Sequence, residues 1–184
     1  MDKSGDKSGS SLIIVNSWPD HNSPARATTS PTVYFYYRIS MFIGEYNHSL
    51  DPKKRLAIPA KLRKEVGDRA VLTRGLESCL FLFSIKEWEQ LAEKISQLPM
   101  GQKDSRGFAR LLLSGASEVE LDQLGRVLVP DYLRDYAGLQ KKIVIAGVGK
   151  RLEIWDEKRW GTYKDDIEKN GDQIAEKLGE IGMI

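Results

Sequence analysis

The sequence predicts an α+β fold made from one unit of about seventy residues used twice. Three observations point to it. The segment Leu50 to Arg63 (LDPKKRLAIPAKLR) recurs at Leu121 to Arg134 (LDQLGRVLVPDYLR), with six of fourteen positions identical at an offset of 71. Glycines at matching places extend the match, Gly44 with Gly115 and Gly67 with Gly138. After a one-residue shift, Gly75, Leu80 and Trp88 match Gly147, Leu152 and Trp160. Within each copy, short apolar runs bounded by turn residues alternate with stretches of helical period, as expected of strands and helices in mixed order. The body therefore divides into copies at 41–111 and 112–184, two similar halves packed as a pseudo-dimer. Two copies are too few for a solenoid.

Each copy is read in the same order. A lead-in strand covers Phe42 to Leu50, or Ser117 to Leu121. The tetrads Asp51-Pro-Lys-Lys54 and Asp122-Gln-Leu-Gly125 carry turn chemistry. The short strands Arg55 to Ile58 and Arg126 to Val129 follow. Helices then run from Pro59 to Val66 and from Pro130 to Ala137, with proline in the first turn and Gly67 or Gly138 just past the end. Next come hairpins, Ala70–Arg74 with Cys79–Phe83 and Lys142–Ala146 with Arg151–Trp155, with Gly75 and Gly147 in their connections. Ser84 to Glu87 forms a capping box ahead of a helix with Trp88, Leu91, Ile95 and Leu98 at helical spacing. The second copy's equivalent starts at Asp156 and carries Trp160, Tyr163 and Ile167. Between the copies, Asp104 to Leu113 reads as a further helix with Phe108, Leu111 and Leu112 on one face. The aromatic and leucine stripes are expected to serve packing.

Residues 1–40 differ in kind. They hold Lys/Ser/Gly/Asp and Ser/Thr/Pro tracts with little to bury, broken by apolar runs at 12–15 and 33–37. They read either as a flexible extension or as sequence upstream of a natural start at Met41. Val33 to Ile43 would suit an added edge strand.

Composition narrows the function. The 184 residues hold 28 Lys and Arg against 26 Asp and Glu, so the chain is no polycation and nucleic-acid binding would need a local patch. One cysteine and two histidines exclude a disulfide framework and a Cys/His zinc site and suit a reducing compartment. No apolar run approaches a membrane span. Gly147-Val-Gly149-Lys150 lacks the flanking residues of a phosphate loop and reads as a hairpin turn. Cys79 lies in an apolar strand as a small hydrophobe. No carboxylate cluster has metal spacing. No catalytic residue, cofactor, metal or small-molecule substrate is expected.

The chemistry that remains is the pair of D-x-x-x-R turns, Asp51 to Arg55 and Asp122 to Arg126. An aspartate opening a turn accepts backbone N–H bonds and holds the guanidinium four residues on. The arginine presents a planar fork of donors suited to guanine O6 and N7 or to phosphate. Packing does not explain why both residue types recur on both turns, although a purely structural role in stiffening the turn fits the same spacing. Residues 51–64 hold six cations (Lys53, Lys54, Arg55, Lys61, Arg63 and Lys64) against Asp51, whereas 121–134 is neutral. The first turn is thus expected to carry more phosphate contact. Arg63 and Arg134 are assigned to phosphate or to ion pairs within the domain, and His48 to a strand leading into the basic turn. The segment 151–184, with six basic and nine acidic residues, is expected to be a solvated helix facing away from nucleic acid.

Met41-Phe-Ile-Gly-Glu-Tyr46, Leu50-Asp-x-Lys-x-Arg55-Leu-x-Ile-Pro59, Gly115-Ala116 and Leu121-Asp-x-x-Gly-Arg126-Val-Leu-Val-Pro130 together resemble the bacterial MraZ family over 41–184. The resemblance implies an AbrB/MazE-like swapped-hairpin unit used twice, with a small β-barrel core and peripheral helices. It implies a ring-shaped homo-oligomer in the cytoplasm, associated with the nucleoid. It also implies a DNA-binding transcriptional regulator of the division and cell-wall cluster that represses its own promoter and binds short G-rich direct repeats in double-stranded DNA. The site it implies is Asp51, Arg55, Asp122 and Arg126, with Lys53 and Lys54 on flanking phosphates. Residues 1–40 have no counterpart in that pattern. The alternative is an AbrB/MazE-like antitoxin or protein-interaction module whose turns form only an oligomer interface.

Overall fold

A computed structural model describes residues 41–183; the expectations for 1–40, including an added edge strand, lie outside the described residues. In chain order the elements are β1 (Phe42–Ser49), β2 (Arg55–Ala57), α1 (Ala60–Val66), β3 (Arg69–Arg74), β4 (Leu80–Ser84), α2 (Ile85–Ser96), α3 (Lys103–Leu113), β5 (Ser117–Glu120), β6 (Arg126–Leu128), α4 (Asp131–Ala137), β7 (Lys142–Gly149), β8 (Arg151–Asp156) and α5 (Glu157–Glu180). The fold is α+β, as the alternation of short apolar runs and capped helical stretches requires.

The two copies interlock. Six strands form one antiparallel sheet in the order β1-β7-β8-β4-β3-β5, and β2 pairs with β6 in a separate two-stranded ribbon. Each lead-in strand pairs with the other copy's hairpin: β1 lies against β7 and β5 against β3. The registers are symmetric. Leu56 faces Val127 at the centre of the ribbon, and Phe81 faces Glu153 where the hairpins meet. A pseudo-twofold therefore relates the copies, and it passes through the ribbon.

Burial follows strand alternation. Leu56 and Val127 point inward beside Ile58 and Val129, into a core that also takes Leu62, Leu133, Leu72, Leu82, Ile145 and Leu152. Burying each such side chain contributes about 1.5–3 kcal/mol. A second cluster lies between the sheet and α2, α3 and α5, where Phe81, Phe83, Ile95, Leu112 and Trp155 meet Trp88, Trp160 and Tyr163. Trp88, Leu91, Ile95, Leu98, Trp160 and Tyr163 of the expected stripes serve packing, whereas Ile167 is exposed.

Several boundaries differ from expectation. Pro59 and Pro130 are the N-caps of α1 and α4, one position before the first turn. Gly138 ends α4 in the left-handed conformation, whereas Gly67 leaves α1 at φ 82°, ψ −175°. Gly147 is not in the hairpin connection; β7 runs on to Gly149, paired with β8 as far as Val148 and with β1 along its whole length. Gly147 faces Gly44 there, and a Cβ at 147 would lie 2.4 Å from the Ile43 amide nitrogen, so the approach of the two backbones requires glycine. At the start of α2, Ser84 Oγ accepts from the Glu87 amide at 3.4 Å, but the Glu87 carboxylate pairs with Lys150 at 3.1 Å. In α3 the buried residue is Leu112, and Phe108 is exposed. α5 has no fully buried residue: its first turns pack Trp160 and Tyr163 on the second cluster, and its C-terminal turns are solvated as expected.

Candidate nucleic-acid interface

The local sequence dictates two matching turns. The Asp51 carbonyl accepts from the Lys54 amide at 2.9 Å, and the Asp122 carbonyl from the Gly125 amide at 2.7 Å. The fourth residue of each turn adopts positive φ, Lys54 at 60° and Gly125 at 72°. Its carbonyl then caps the strand of the other copy: Val129 N–H donates to Lys54 O at 3.0 Å, and Ile58 N–H to Gly125 O at 2.9 Å. The turns are thus fastened across the ribbon to one another's strands.

Each aspartate organises its turn through both oxygens. Asp51 Oδ1 accepts the amides of Lys53 at 2.8 Å and Arg55 at 3.0 Å; Asp122 Oδ1 accepts those of Leu124 and Arg126, both at 3.0 Å. The second oxygen holds the guanidinium. Arg55 Nε and Nη2 both reach Asp51 Oδ2 at 2.7 Å. Arg126 Nε and Nη2 reach Asp122 Oδ2 at 2.8 and 2.6 Å.

The fold then brings the two pairs together. Arg55 Nη1 lies 3.7 Å from Asp122 Oδ2, and Arg126 Nη1 lies 3.7 Å from Asp51 Oδ2. The four charges form a closed, neutral quartet on the outward side of the ribbon. The guanidinium-bearing side chains are 29% and 24% exposed, so neither is sealed inside the core. Because Nη1 makes only the long cross-turn contact, each fork keeps N–H donors beyond those given to its own aspartate.

Electrostatics match the geometry. The Arg126 side chain, with the Arg126 and Leu124 amides, holds the Asp122 carboxyl down at about 2. Asp51 is lowered too, first by the Arg55 amide and then by its side chain and the Lys53 amide. Arg126 is raised by Asp122. Both aspartates therefore stay ionised throughout the physiological range.

The surroundings of the turns differ. Lys53 is exposed at the tip of the first. Lys54 pairs with Asp131 at 2.6 Å, across the copies. The corresponding places in the second turn hold Leu124, 62% exposed, and Gly125. Leu128 is 57% exposed and faces Arg55 across the ribbon. Arg63 donates to Ile58 O at 2.8 Å and lies over Gly125, while Arg134 pairs with Asp131 and Asp135, both at 3.2 Å. Both have partners within the domain. His48 is half-buried on β1, and burial together with Arg63 lowers its pKa. The cross-turn contacts and the Lys54–Asp131 pair are absent from the sequence reading, since spacing within one copy says nothing of the other. For the positive φ of Lys54, the available sequence signal is its alignment with Gly125.

Cys79 is fully buried, and burial raises its thiol pKa, as suits a small hydrophobe. Among the described residues, no group of His, Cys, Asp and Glu is placed to hold a metal ion, and no helix is long and apolar enough to cross a membrane.

Interlocked copies with a paired charge site on their dyad define a duplicated α+β protein in which that site is built jointly by both halves. The chain belongs to the MraZ family: the model of that family, described as "MraZ protein, putative antitoxin-like", matches residues 41–111 and again 112–179. Over 143 residues, 78% of this chain and all of each relative, it is 51% identical to the transcriptional regulator MraZ of Natranaerobius thermophilus, 50% to that of Alkaliphilus oremlandii and 48% to that of Alkaliphilus metalliredigens. The family is one of transcriptional regulators, not enzymes, in agreement with the sequence reading.

Proposed function

We propose that the chain is a sequence-specific DNA-binding transcriptional regulator acting on double-stranded promoter DNA. The observation that carries this reading is the quartet, in which two arginine forks are held side by side by aspartates on one outward face. An arginine already oriented by a carboxylate loses little freedom on meeting guanine O6 and N7, and one such bidentate contact discriminates by about 1–3 kcal/mol. Lys53, exposed at the first tip, and Lys54, once released from Asp131, take flanking phosphates and make binding salt-dependent. The names of the relatives support the same function.

The finer reading has the body divided at 41–111 and 112–184 into two AbrB/MazE-like swapped-hairpin units around a small barrel. The exchange of β1 and β5 between copies supports it. Copies of the chain assemble into a ring that sets several turns against successive G-rich direct repeats, so that modest contacts add as avidity. The regulator works in the cytoplasm at the nucleoid and represses its own division and cell-wall operon by occluding polymerase.

A gel shift on the DNA upstream of the chain's own gene tests this. Arg55→Ala is expected to lose at least tenfold in affinity for that duplex while sedimenting like the wild type. Undiminished binding removes Arg55 from the site, and absence of any specific shift by the wild type rejects the reading. The exposed Leu124 and Leu128 beside a neutral quartet favour a second reading, a protein-binding module of the antitoxin kind, which predicts that latter outcome.

A further inference from the structure

The two turns share one backbone geometry, so what separates their functions is the side chains they carry. At the tip of the first stands Lys53, with its amide fixed on Asp51 Oδ1 at 2.8 Å. The same place in the second holds Leu124, with its amide fixed on Asp122 Oδ1 at 3.0 Å. Leu124 is 62% exposed although its backbone is tied down, and Arg126 is fixed two residues on by the same carboxylate. Residues 121–134 carry no net charge and no lysine, so this turn offers a phosphate chain nothing equivalent to Lys53.

An exposed leucine gains nothing beside phosphate. Base edges in the major groove offer one apolar group, the C5-methyl of thymine. We propose that the turns divide the labour: the first, through Lys53, holds backbone phosphate, and the second reads a thymine methyl through Leu124 next to the base that Arg126 reads. This rests on the DNA-binding reading above. With Arg55 and Arg126 alike reading guanine, it makes Leu124 an added determinant of specificity and Lys53 a determinant of affinity.

The experiment uses the full chain. Duplexes are selected from a random double-stranded pool, and each thymine of the selected site is replaced singly by deoxyuridine, which removes the methyl and leaves every hydrogen-bonding group. For the wild type, uracil at one thymine per engaged turn is expected to weaken binding about fourfold, the value of one buried methyl-sized group. Leu124→Ala is expected to bind thymine and uracil duplexes equally while still distinguishing guanine from adenine at the neighbouring position. Leu124 packs in no core, so the variant keeps the fold. Equal affinity of the wild type for both duplexes overturns the proposal and leaves the regulator reading intact, as does persistence of the methyl effect in Leu124→Ala. A variant that changes only in self-association, by sedimentation, overturns it in favour of a contact between copies of the chain. Selection of no duplex overturns the DNA-binding reading and this inference with it.

Discussion

Replacing Gly125 with alanine separates the two things that hold the second turn. Gly125 sits at φ 72°, and its Cβ would lie 2.2 Å from Arg63 Nε and 2.4 Å from Cζ. A non-glycine residue in the left-handed region costs about 1–2 kcal/mol. The new methyl also pushes the Arg63 side chain from its 2.8 Å bond to Ile58 O, a half-buried contact worth about 1 kcal/mol. The expected loss is therefore about 2–3 kcal/mol, which lowers Tm by roughly 5–10 °C in a chain of this size. Lys54→Gly is the control. It relieves the strain at φ 60°, but it loosens the unfolded chain and removes an exposed ion pair of little worth, so stability is expected to change by less than about 1 kcal/mol. Urea unfolding of both variants measures this. A loss in Gly125→Ala below about 0.5 kcal/mol refutes the assignment of Arg63 to the place a Cβ would fill. A loss equal to the strain alone shows that Arg63 swings aside freely.

Two further outcomes follow from the same face. Lys53→Ala should weaken binding to all duplexes alike and reduce the slope of log affinity against log salt by about 1; a loss confined to one sequence contradicts its phosphate role. The Asp122 carboxyl is held down at about 2 from its ordinary 3.8, so its contribution to stability is complete above pH 3.8 and is lost as pH falls through about 2. Tm followed by circular dichroism from pH 6 to 2 should show this fall flattened in Asp122→Asn, and an unchanged acid limb would contradict the ionised quartet.

Much of this was legible in one chain because duplication repeats its own evidence. The turn, short strand and proline-led helix appear twice, and a D-x-x-x-R spacing kept in both copies marks the candidate site without any relative to compare. What stayed hidden is non-local. Nothing in Leu50 to Arg55 states that Arg55 meets Asp122, since that contact depends on the antiparallel ribbon centred on Leu56 and Val127. The end of β7 differs for a more local reason as well: Gly147 pairs both with Leu152 of its own hairpin and with Gly44 of β1, so the turn is tighter than its glycines suggest. The Glu87 carboxylate left its capping box for Lys150, far along the chain, where an ion pair competes with a local bond.

The exchange of lead-in strands also sets a timetable for synthesis. β1 pairs from Phe42 with Gly149, so it emerges from the ribosome about a hundred residues before its partner strand exists. At translation rates of about 5–20 residues per second, the nascent chain carries an unpaired edge for roughly 5–20 s. Neither half can complete its own sheet during that interval, so the last strands to be made close the fold of the first.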